Sequence, residues 1–132
     1  MISAPVRGIL PPMPHKVLID IQDLLVWAFR TQRVEFNPHA DIDALTTYWA
    51  VIGLPEAHAG LIKRHARAAT EPNWQVGTGA LVALSQVRMA RLVYTEWVRS
   101  MTELRETLSD QLRYFEVHGP HLAEEPWTRL RA

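Results

Sequence analysis

From Ala80 to His118 neither proline nor glycine interrupts the chain, and Gly119 and Pro120 then supply a helix stop. That run predicts one helix roughly 55 Å long at about 1.5 Å per residue. No other segment offers a helix long enough to cover it. In its second half Tyr94, Val98, Met101, Leu104 or Arg105, Leu108, Leu112 and Phe115 recur at steps of three and four, while Glu103, Glu106, Asp110 and Arg113 fall outside the stripe. The spacing approximates about three heptads of a coiled coil. Such a stripe can pack on the shorter helices of its own chain, or serve as a seam between subunits through Leu108, Leu112 and Phe115. Both can hold at once.

The rest of the chain reads as helical too, with no convincing strand. Residues 1–13 hold Pro5, Gly8, Pro11 and Pro12 and predict an extended arm, because proline lacks the amide hydrogen that helix interiors and sheets use. A first helix is expected from Pro14 to about Arg33, with Val17, Leu18, Ile21, Leu24, Leu25, Ala28 and Phe29 on one face. Trp27 falls on its polar strip with Lys16, Asp20, Asp23 and Arg30. A second helix is expected between an Asp41 cap and Gly53, burying Ile42, Leu45, Trp49 and Ile52, and a third from Pro55 to about Ala69, burying Leu61, Ile62 and alanines. Gly77, Thr78 and Gly79 predict a turn in which Thr78 caps the long helix. The fold expected is therefore all-α: an N-terminal helix and a helical hairpin packed on one long C-terminal helix. Residues 14–118 form the domain, and 119–132 form a tail.

Catalytic and cofactor chemistry finds little foothold. The absence of cysteine removes disulfides, thiolate zinc sites and a cysteine nucleophile together. The glycines near 77–79 lack the Gly-Lys-Ser/Thr ending of a phosphate loop and the third glycine of a dinucleotide site. His118 and His121 have metal-like spacing, but Gly119 and Pro120 break any helix between them and no neighbouring carboxylate completes a set. His58 and His65 share a helix face without being close enough to chelate one ion, and Asp20 and Asp23 lie on a solvated strip. No enzyme, metal or cofactor is expected. The N-terminal prolines interrupt any signal-peptide core, and no run approaches the roughly 18 apolar residues of a membrane span. A soluble, cytoplasmic protein without membrane contact is the expectation.

Charge and aromatic content address partners. Lys plus Arg, 14 in number, balance 14 Asp plus Glu, which argues against a chain that chiefly coats nucleic acid. A helix-turn-helix centred on Gly53 would need a small residue where Trp49 stands and a branched one where Ala59 stands. Its cations Lys63, Arg64 and Arg67 also fall late in the second helix. They could still contact DNA phosphates together with Arg88 and Arg91, and that is the alternative reading, as a packaging subunit or regulator. Five tryptophans are many for 132 residues, and Trp27 and Trp127 are hard to place in one small core. Both are candidate interface anchors.

The stretches "LLVWAFRTQRV" and "RHARAATEPNW" resemble segments of small helical proteins encoded in prophages and tailed phages, over roughly residues 16–75. The resemblance implies a setting, host cytoplasm or virion, and carries over no functional residue. The expected function is a non-enzymatic interaction protein that self-associates and contacts other protein subunits, in phage-like assembly or as an accessory protein.

Overall fold

A computed structural model describes residues 15–75 and 84–130. In chain order the elements are β1 (Val17–Asp20), α1 (Ile21–Val26) with a π-helical turn (Trp27–Thr31), α2 (Ile42–Ile52), α3 (Glu56–Ala68), α4 (Leu84–Leu108), β2 (Phe115–His118) and a 3-10 turn (Pro126–Leu130). The protein is mostly helical but not all-α, since β1 and β2 pair in parallel with Val17 opposite Phe115 and Asp20 opposite His118. The arm at 1–13, Pro14, and the expected Gly77–Gly79 turn with its Thr78 cap lie outside the described residues.

The first helix starts later than its apolar spacing predicts. Asp20 is extended, at φ −71° and ψ 143°, and its carboxylate accepts the amide of Gln22. A residue capping α1 in that conformation cannot also lie inside a helix reaching back to Pro14. Val17–Asp20 are left free to pair as a strand. At the other end the helix widens by one residue, the amide of Gln32 donating to the carbonyl of Trp27 at 2.8 Å, and Arg33 closes it at φ 52°.

The helical hairpin matches the sequence in its bounds but not in its buried face. Asp41 caps α2 through the amide of Asp43, and Gly53 ends it. The inward residues are Asp43, Ala44, Thr47 and Val51, whereas Ile42, Trp49 and Ile52 point to solvent. The cause is Asp43, only 1 % exposed, whose two carboxylate oxygens accept the amides of Arg113 and Tyr114 at 2.7 Å each. Buried amides without partners are costly, so α2 is held with this carboxylate inward and its large apolar residues outward.

The long helix is the main departure. α4 ends at Leu108, and its described part, Leu84–Leu108, is 25 residues and roughly 37 Å long. Asp110 follows at φ 65°, a left-handed conformation that aspartate tolerates better than most residues, and the chain turns back to form β2. The predicted seam therefore does not exist as one helical stripe. Leu108 and Leu112 sit in the core of their own chain with Leu104, Met101 and Val98, and Phe115 lies on a strand. The core runs from Ile21, Leu24 and Phe29 through Val51 and Ile62 to Trp97 and Leu112.

Candidate interaction surface

Each tryptophan expected at an interface has a partner within the chain. Trp27 packs edge-on against Phe115, ring centroids 5.1 Å apart, because β2 folds back over the strip that a solitary helix would leave wet. Trp127 lies in the tail, which is packed rather than free. Its ring meets Trp74 at 5.9 Å and Tyr94 at 6.4 Å, while the guanidinium of Arg91 lies 5.2 Å above it. The hydroxyl of Thr95 donates to the carbonyl of Glu124 at 2.8 Å, and Arg99 pairs with Glu124, which raises the Arg99 pKa through that hydrogen bond.

The cations of the DNA-binding alternative are divided among different tasks. Arg67 holds Glu35 through two guanidinium contacts, Nε to Oε1 at 2.6 Å and Nη2 to Oε2. That hydrogen bonding lowers the Glu35 pKa against the opposing effect of burial, and raises that of Arg67. Arg91 is committed to Trp127. Arg64 and Arg88 are exposed, and Lys63 borders a groove described below. His65 is held below its ordinary pKa first by burial and then by Arg64, and its Nδ1 lies 2.8 Å from the Thr70 hydroxyl. Beside it a partly open pocket of about 10 Å³, lined by Leu25, Ile62, Trp97 and Met101 among others, is water-sized.

The surface that does stand out was assigned to the core by its spacing. Ile42, Trp49 and Ile52 follow one another along α2 at helical intervals, all exposed, with Trp49 at 65 %. Tyr48 stacks edge-on with Trp49 at 5.7 Å and tilts against Phe29 at 6.1 Å, which anchors one side of the indole while its body stays in solvent. From Ile52 the apolar surface continues into a groove of about 480 Å³ between α2 and α3, lined by Ile52, Leu54, Glu56, Ala59, Gly60 and Lys63. A side chain at Gly60 would meet nothing within 4 Å, so the backbone of α3 is open to close approach there. Glu56 and Lys63 flank this opening, and neither forms an ion pair among the described residues.

The sequence held a signal for this surface. Ile42, Trp49 and Ile52 share a stripe that Asp43, Ala44, Thr47 and Val51 do not, and only one of these two stripes can face inward. What the sequence could not disclose is that the carboxylate of Asp43 has two amides waiting for it. No helix among the described residues is long and apolar enough to cross a membrane. No protein-family model, curated protein or solved structure matches this chain.

Proposed function

We propose that this chain is a helical interaction protein that self-associates, with the outward face of α2 and the adjoining groove of α3 covered by a second copy. The observation that carries the reading is the exposed stripe of Ile42, Trp49 and Ile52, which has the size and spacing of a buried face and, among the described residues, only the edge of Tyr48 against it. Charge names the occupant. Along α3, Glu56 precedes Gly60 by about 6 Å and Lys63 follows it by about 4.5 Å, at the helical rise of about 1.5 Å per residue. A two-fold axis passing beside Gly60 sets each Glu56 opposite the partner's Lys63, and the missing side chain at Gly60 lets the two helices approach. The same surface is thus its own complement. Among small helical proteins of phage-like elements, such a pairing suits an assembly or accessory subunit.

The test is the mass of the chain in solution. Wild type at tens of micromolar should scatter light as a dimer, and Trp49→Asp should lower its self-affinity at least about thirtyfold, the loss of an interface anchor worth about 2 kcal/mol or more. Because Trp49 is exposed, the variant should retain the helix content of wild type by circular dichroism. A wild type that is monomeric at that concentration, or a Trp49→Asp variant with unchanged mass, overturns the reading.

A further inference from the structure

Where the two parallel strands end, three side chains from distant parts of the sequence meet. Asp20 closes β1 and His118 closes β2, as register partners. His121 follows three residues later, after Gly119 and Pro120 have turned the chain. Nδ1 of His118 lies 2.9 Å from Nε2 of His121, and Oδ2 of Asp20 lies 3.9 Å from the same Nε2. One ligand atom from each residue falls within 4.8 Å of the other two. We infer that Asp20, His118 and His121 form a binding site for a divalent first-row transition ion of the zinc class, with the carboxylate that the His118–His121 pair lacks in sequence supplied across the sheet.

The distances are those of three ligand atoms within reach of one ion. Two bonds of about 2.05 Å at a right angle span about 2.9 Å, the separation of the two imidazole nitrogens. Tetrahedral coordination at about 2.1 Å sets its ligands about 3.4 Å apart, so Asp20 and His121 need to close, and the two imidazole nitrogens to open, by roughly half an ångström each. His121 has the freedom to do so, its side chain being 73 % exposed. Two imidazoles and one carboxylate are donors that favour zinc, nickel, cobalt or iron over magnesium or calcium. In the metal-free chain the two facing nitrogens share one proton. On binding, the ring that carries it takes the other tautomer, and both lone pairs face the ion.

Two further features aim the carboxylate. Oδ1 of Asp20 accepts the amide of Gln22 at 2.8 Å, which fixes the carboxylate plane and leaves Oδ2 directed at the histidines. Gly119, at φ 86°, gives Oδ2 its room, because a Cβ there would overlap that oxygen. Three protein ligands leave at least one coordination position for water or an exogenous ligand, unlike the closed four-ligand shell of structural zinc. The ion would also join the start of α1 to the chain beyond β2. Nothing in this inference depends on self-association, since none of the three residues lines the α2–α3 groove.

Zinc titration of the full chain by calorimetry, with cobalt absorption as a second readout, tests the site. Wild type should take up one zinc ion and gain thermal stability from it. His121→Ala, which removes an exposed side chain, should weaken zinc by more than about a hundredfold, beyond the loss of an outer-shell partner. Asp20→Asn, which keeps an N-cap residue, should weaken it too and alter the cobalt spectrum. His58→Ala, at a histidine paired with Glu96 on other elements, should leave binding unchanged. Circular dichroism checks that each variant is folded. No zinc binding by wild type at 100 micromolar, equal affinity in His121→Ala, or an equal loss in His58→Ala would overturn the assignment.

Discussion

Replacing Asp43 with alanine is expected to destabilise the fold by about 3 to 6 kcal/mol, from two hydrogen bonds to a charged group at about 1.5 to 3 kcal/mol each. Both carboxylate oxygens of this residue are used, one on the amide of Arg113 and one on that of Tyr114, and the side chain is buried. Alanine leaves two amides without acceptors at the point where the chain enters β2. Asp43→Asn should recover part of the loss, because the amide side chain accepts with one atom only and presents a donor to the second backbone N–H. Against a total stability of about 5 to 15 kcal/mol, the alanine variant is expected to be partly unfolded at room temperature or to melt at far lower urea. A urea midpoint equal to that of wild type for Asp43→Ala would show that these bonds do not hold α2 in its orientation.

Leu112→Asp should unfold the chain rather than dissociate it. Leu112 is 3 % exposed and belongs to the core with Leu104 and Leu108, so the substitution buries a charge with no partner provided for it. The expected cost is comparable to the whole stability, and helix content should fall with it. A coiled-coil seam at the same position predicts the opposite pair of results, a folded monomer with undiminished helix. Circular dichroism at equal concentration separates them, and a variant with wild-type helix content would return Leu108, Leu112 and Phe115 to the surface.

These two residues also mark what was legible in the sequence. The hairpin of α2 and α3 could be read to within a residue at each end, because Asp41, Gly53 and Pro55 act on neighbouring backbone groups. The long-range features could not. "VLID" and "FEVH" continue the apolar spacing of adjacent helices, and only their pairing with each other makes them strands. Ser109 and Asp110 are turn-forming residues in a run otherwise rich in helix formers, a weak signal that the Gly119–Pro120 stop outweighs. The inward turn of Asp43 and the meeting of Asp20 with His118 depend on partners at the far end of the chain. Local spacing holds no record of either. Of the two readings the late stripe allows, Leu108 and Leu112 take the one within their own chain, whereas Ile42, Trp49 and Ile52, spaced for burial, are exposed.

The proposed dimer, in which a second copy of the chain covers α2 and α3 about a two-fold axis near Gly60, rests on that exposed face, and a charge-reversal cycle tests it most directly. Lys63→Glu sets like charges against each other at both symmetric contacts, and so does Glu56→Lys, while the double variant restores opposite charges in exchanged places. Each residue lines the groove without an ion pair of its own among the described residues, so none of the three variants should lose helix content. Sedimentation equilibrium at low salt is the measurement. The account predicts that wild type and the double variant sediment as dimers, that each single variant is monomeric alone, and that an equimolar mixture of the two single variants sediments as a dimer, since the mixed pair sets opposite charges at both contacts. A monomeric wild type, or a double variant as dissociated as the single ones, would contradict it.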